Sequence, residues 1–113
     1  MNELLQMASV ERDGSVVWDV EGEIDLASAP AFERQVSDSG AEGRAVVVDL
    51  GRVRYLDSAG LASLVRLHLQ LDQRGSKLKV VVADGSVARS TITLAALDQV
   101  IAVFASLDGA LTA

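Results

Sequence analysis

Two side chains that could do chemistry stand side by side in the run Val53-Arg54-Tyr55-Leu56-Asp57-Ser58-Ala59-Gly60-Leu61. Asp57 offers a carboxylate and Ser58 a hydroxyl. The run follows the most strongly apolar short stretch of the chain, residues 45–50, and precedes its longest helical pattern, which ends near Arg74. A strand, a short connection and a helix start therefore meet at Asp57-Ser58. The free N–H groups of a helix start favour an anion. Either residue could simply cap that helix, which contributes about 1 kcal/mol. A serine exposed there is also open to a protein kinase, and phosphate would add roughly −1.5 to −2 charges. The helix dipole favours such an exposed anion by only about 0.3–1 kcal/mol, so the fold would tolerate it. A partner with a carboxylate opposite would not. Each ~1.4 kcal/mol of repulsion weakens a complex about tenfold.

Catalytic readings of the same residues are weaker. Ser58 and His68 lie ten residues apart on one expected helix, and a rise of about 1.5 Å per residue keeps them roughly 15 Å apart. The nucleophile elbow G-x-S-x-G would need glycine where Leu56 stands, and the chain has a single histidine. The serine thus lacks an activating base, and His68 reads as a partly buried packing residue. Asp49 ends a central strand, a place where some signalling domains carry a phosphorylated aspartate. Those domains also need an acidic pair after their first strand, and here that strand runs into a hairpin turn at Glu11-Arg12-Asp13. Asp49 therefore reads as a solvent carboxylate. The sequence holds no G-x-G-x-x-G and no P-loop.

Composition narrows the classes further. A chain of 113 residues that is 50% hydrophobic suits one domain with one core. The formal charge of −6 argues against nucleic acid and against an anionic membrane surface. The absence of cysteine excludes disulfides and thiolate metal sites and permits a cytosolic compartment. No apolar run approaches the ~20 residues of a membrane span. Glu3 and the lack of a basic n-region speak against a signal peptide. A soluble cytoplasmic protein with no cofactor, no nucleic-acid partner and no direct membrane insertion is expected.

The elements that hold the junction follow from periodicity. Residues 4–10 form a first strand, Arg12-Asp13-Gly14-Ser15 a turn, and residues 16–24 a second strand, with Val16, Trp18 and Val20 inward and Asp19 and Glu21 outward. Ser28 caps a helix with Pro30 in its first turn, Phe32 and Val36 on one face and an end near Ser39-Gly40. Residues 40–43 form a loop. Ala45-Val46-Val47-Val48-Asp49-Leu50 is a β-branched central strand covered on both faces. The helix after Ser58 buries Leu61, Leu64, Leu67 and Leu71 and stops at Gly75. Residues 78–83 form a strand, Ser86 caps a helix to about Ala96, residues 100–104 form a last strand, and Ser106 caps a final helix. Strands alternating with helices predict right-handed crossovers and a mostly parallel sheet.

Three stretches now carry a resemblance. They are Gly22-Glu23-Ile24-Asp25-Leu26, then Val48-Asp49-Leu50 leading into residues 53–61, then Leu97-Asp98-Gln99-Val100 through Val103-Phe104-Ala105-Ser106-Leu107. In order and spacing, over nearly the whole chain, they resemble the STAS domain and, within it, the bacterial anti-sigma factor antagonists. The resemblance implies a single STAS domain over residues 1–113. It implies an α/β fold with a mixed, mostly parallel four- to five-stranded sheet, an N-terminal antiparallel hairpin and about four helices. It also implies a non-enzymatic partner switch. The unphosphorylated chain would bind an anti-sigma factor, itself a serine protein kinase, and free a sigma factor. Phosphorylation of Ser58 would block binding, and a serine phosphatase would restore it. Partner contacts would come from Asp25, Leu26, Asp57, Ser58, Ala59, Gly60 and Leu61, with Gly60 allowing close backbone approach.

The chain departs from that pattern in three places, one of them Thr91-Ile92-Thr93, where a better helix former would be expected. Ala59 stands where many antagonists have a second hydroxyl, which leaves Ser58 as the one candidate there. Gly109 replaces an acidic residue in the last helix, which weakens a capping box. Similar single domains also serve as accessory subunits of lipid-transport ABC systems, docking the same helix on an ATPase. The central motif does not separate the two, whereas residues 103–107 favour the antagonist. An antagonist that is never phosphorylated is a third possibility, kept alive by Ala59.

Overall fold

The computed structural model describes residues 5–40 and 43–113. Leu4, expected to open the first strand, and positions 41–42 of the expected loop lie outside them. The elements are β1 (Leu5–Arg12), β2 (Ser15–Ile24), α1 (Ala29–Ser39), β3 (Ala45–Leu56), α2 (Ser58–Gln73), β4 (Lys77–Val81), α3 (Val87–Leu94), β5 (Ala102–Phe104) and α4 (Leu107–Thr112), with a 3-10 turn at Leu97–Gln99. They build one five-stranded sheet in the order β1-β2-β3-β4-β5. The β1–β2 pair is antiparallel and the other pairs are parallel. The expected fold class therefore holds.

Asp13 (φ 53°) and Gly14 (φ 79°) both take the left-handed conformation. That is the two-residue type I′ turn, whose twist matches a hairpin. It sets Arg12 opposite Ser15 and carries the register unbroken to Leu5 opposite Gly22. From β2 onward each crossover moves one strand further in the same direction. Right-handed crossovers of that kind place α1, α2 and α3 on one face. There Phe32 and Val36, Leu64, Leu67 and Leu71, and Ala88 and Ile92 pack on Val16, Trp18, Val20, Val46 and Val48. Each fully buried aliphatic or aromatic side chain contributes about 1.5–3 kcal/mol. Leu61, expected in this row, is half-buried at its margin. His68 is half-buried on α2, as its packing role requires.

The second face is covered in part by α4, where Ala110, Leu107 and Leu111 meet Val17, Val47 and Val81. Lys79 lies under α4 with 7% of its surface exposed. Its Nζ donates to the carbonyls of Ala110 (2.8 Å) and Ala113 (3.2 Å) at the end of that helix. Toward β1 the same face is polar, and Arg52 bridges Asp19 at 3.1 Å and Glu21. Hydrogen bonding to Glu21, then the charges of Asp19 and Glu21, hold the exposed Arg52 guanidinium above its ordinary pKa.

Four expectations need correction. β3 does not stop at Leu50 but runs to Leu56. Asp49 therefore lies within it rather than at its end, half-buried, its Oδ1 accepting from the Gly51 amide at 2.9 Å. The pairing of β2 with β3 slips between Asp19 and Glu21 and again between Gly22 and Glu23. Each slip inserts one extra residue into β3, a bulge. Leu50, Val53 and Leu56 are thus buried at three-residue steps, a period that does not read as a strand. α3 ends at Leu94 rather than near Ala96, because Ala96 takes φ 60° before the 3-10 turn. The last strand starts at Ala102, leaving Val100 outside it and 58% exposed. Finally, Ser28 occupies the first cap position, but its hydroxyl makes no cap hydrogen bond.

Candidate partner-docking site

The junction begins at the carbonyl of Ile24, the last residue of β2. It accepts a hydrogen bond from the Asp57 amide at 3.2 Å, so the start of α2 is stitched to the end of β2. Asp57 has extended backbone, and its Oδ1 accepts from the amides of Ala59 (2.9 Å) and Gly60 (3.1 Å). This is an N-cap in full. The capping role therefore falls to Asp57, not to Ser58. Ser58 is the first residue of α2 and exposed. Among the described residues its hydroxyl makes no hydrogen bond.

Gly60 is buried at this seam. A Cβ there would lie 2.4 Å from Leu56 Cδ1 and 3.0 Å from the Ile24 carbonyl oxygen. Its lack of a side chain serves the approach of α2 to β2 of its own chain. Ala59 and Leu61 are half-buried and pack on the main core.

Beside the junction runs the connection from β2 to α1. Asp25 Oδ1 accepts from the amides of Ala27 and Ser28, each at 3.0 Å. The Asp25 carbonyl accepts from the amides of Ser28 (3.2 Å) and Ala29 (2.8 Å). Asp25 thus holds the turn that leads into α1 through both its side chain and its carbonyl. Ser28 is 1% exposed. Its hydroxyl donates to the Glu23 carbonyl at 2.8 Å and accepts from the Asp25 amide at 2.9 Å. The reason is conformational. Ser28 has helical backbone angles (φ −97°, ψ −21°), whereas a capping hydroxyl needs extended ones. At the tip of this held loop Leu26 is 79% exposed.

Of the residues expected at a partner surface, Leu26 and Ser58 stand out in solvent. Asp25, Asp57, Ala59 and Leu61 are half-buried, and Gly60 is buried. Ser28 and Ile24, which hold the two segments together, carried no signal beyond an ordinary cap and an ordinary core residue. Ser58 and His68 stand ten residues apart on α2 and form no catalytic pair. Among the described residues, no group of three or more His, Cys, Asp or Glu could hold a metal. No helix there is long and apolar enough to cross a membrane.

The STAS domain family model matches residues 6–110. The chain belongs to the STAS domain family. It is 38% identical over 104 residues to the anti-sigma-F factor antagonist RsfB of Mycobacterium tuberculosis, covering 90% of this chain and 83% of that one. It is also similar to the crystal structure of an anti-sigma factor antagonist from Mycobacterium paratuberculosis. There the TM-score is 0.85 at 33% identity, covering 96% of this chain and 92% of that one. The unphosphorylated form of SpoIIAA, an anti-sigma factor antagonist, matches with a TM-score of 0.72 at 17% identity, over 95% and 92% of the two chains. At that identity the likeness concerns the STAS fold alone.

Proposed function

We propose that this STAS domain is an anti-sigma factor antagonist controlled by phosphorylation of Ser58. In its unphosphorylated form it binds an anti-sigma factor that is also a serine kinase, and so frees a sigma factor. A serine phosphatase reverses the modification. The chain works in the cytoplasm as a single domain and catalyses nothing itself. Similarity to RsfB over most of both chains supports the class of partner.

The observation that carries the switch is the division of labour at the start of α2. Asp57 satisfies the amides of Ala59 and Gly60, so the exposed Ser58 hydroxyl has no structural duty. A phosphate there would sit beside the Asp57 carboxylate, one position past the amide that bonds the Ile24 carbonyl. It would bring about −1.5 to −2 charges to the surface that also carries Leu26. Docking on that surface would then have to desolvate or oppose a dianion.

The test is incubation with the cognate kinase and ATP, with mass spectrometry to map phosphate and a binding assay against the anti-sigma factor. Phosphate on Ser58, retained binding by Ser58→Ala and lost binding by Ser58→Asp are expected. Unmodified Ser58 together with equal binding by wild type and Ser58→Asp would overturn the switch.

A further inference from the structure

We propose that Arg54 and Tyr55 extend the docking face along β3 and select the partner, which meets them with an apolar socket rimmed by a carboxylate. The inference rests on docking at Ser58 as described above.

The second bulge of β3 produces the feature. Val53 and Leu56 are buried, and in a regular strand residues between them would alternate in and out. Here Arg54 and Tyr55 are both exposed, Tyr55 with 48% of its surface. The ladder fixes where they stand. Tyr55 is opposite Glu23, and Leu56 is opposite Ile24. Ile24 holds the Asp57 amide, and Leu26 follows it by two residues. Tyr55 thus stands three positions before Ser58 in the strand that leads into α2, next to the Leu56–Ile24 pair from which the Leu26 loop departs.

The chemistry of the pair indicates what covers it. Arg44, Arg52, Arg66 and Arg89 each have a carboxylate partner. Among the described residues Arg54 has none. It stands as an unneutralised cation on a chain of charge −6, so an acidic group of the partner is drawn to this point of the surface. Tyrosine and arginine are also, with tryptophan, the residue types enriched where binding energy concentrates. The ring supplies area at small entropic cost, and the guanidinium supplies direction.

The experiment compares wild type with Tyr55→Ala, Tyr55→Phe, Arg54→Glu, Arg34→Glu and Ser58→Asp. Binding to the purified anti-sigma factor is measured at low and high salt, and each variant is melted. Arg34 is an exposed arginine on α1 that likewise lacks an ion-pair partner among the described residues, so it reports the effect of bulk charge. Tyr55→Ala is expected to weaken binding at least tenfold and Tyr55→Phe less than threefold. Arg54→Glu is expected to slow association at least tenfold, an effect that shrinks as salt rises. Arg34→Glu is expected to stay within threefold. Wild-type binding by both Arg54→Glu and Tyr55→Ala, with binding lost in Ser58→Asp, overturns this inference and leaves the switch standing. An equal loss in Arg34→Glu and Arg54→Glu overturns the placement of the carboxylate. Unimpaired binding by Ser58→Asp overturns docking at the helix start itself. Arg54→Glu alters one exposed side chain, so it decides even where Tyr55→Ala lowers the melting temperature.

Discussion

The Asp57 amide donates to the Ile24 carbonyl at 3.2 Å, and Gly60 packs against that same carbonyl with no room for a Cβ. One backbone oxygen thus fixes the distance between the end of β2 and the start of α2. Replacing Gly60 by valine forces two branched methyls into this seam. The expected cost is about 1–3 kcal/mol, and the start of α2 moves away from Ile24. Denaturant unfolding measures the first effect. Faster exchange of the Asp57 amide measures the second.

Asp57→Ala removes the acceptor for the Ala59 and Gly60 amides. Loss of such a cap costs about 0.5–2 kcal/mol. For a domain of this size that lowers Tm by about 4 °C per kcal/mol. Ser58→Ala removes an exposed hydroxyl without a partner, so its stability should stay within about 0.5 kcal/mol of wild type. Thermal melts of the two variants separate the residue that builds the helix from the residue it displays.

Ser28→Ala strands the Glu23 carbonyl and the Asp25 amide, which both bond to the buried hydroxyl. Unmet buried groups cost about 1–3 kcal/mol. The loop bearing Leu26 should loosen as well. Hydrogen exchange at Asp25, Ala27 and Ser28 should accelerate while α2 stays protected. Unchanged protection of the loop would show that Asp25 alone suffices to hold it.

Lys79→Met keeps an apolar stem under α4 but removes the donor to the Ala110 and Ala113 carbonyls. A cost of about 1–2 kcal/mol follows, concentrated in α4. Amide exchange there should quicken before any change appears at Asp57. That order tests whether the two faces of the sheet open independently.

Much of this scaffold is visible in residue types. The Asp13-Gly14 turn announced the hairpin because few residues other than these accept φ above zero. The run at residues 45–50 announced a strand with both faces covered, and Val47 does lie on the α4 side while Val46 and Val48 face α1–α3. The second half of β3 was illegible, since two bulges replace the period of two by steps of three. The role of Ser28 is not legible in residue type, because Asp25 and Ser28 are both capping types and only backbone angles decide which bonds each makes. Ser58 itself was legible as a helix-start hydroxyl. That Asp57 alone takes the capping bonds follows from its extended backbone, which residue type does not reveal. The exposure of Arg54 and Tyr55 was hidden by the same bulges that produce it.

Those bulges make β3 sensitive to length rather than to composition. Deleting the extra residue of a bulge, such as Arg54, would restore one-to-one pairing of β3 with β2 and end the side-by-side exposure of Arg54 and Tyr55, whereas an insertion would add a further slip ahead of Ser58. Exchanges of one residue type for another are absorbed locally. Grafting this surface onto another scaffold therefore means moving residues 49–60 as one indivisible block, together with the strand that sets their count.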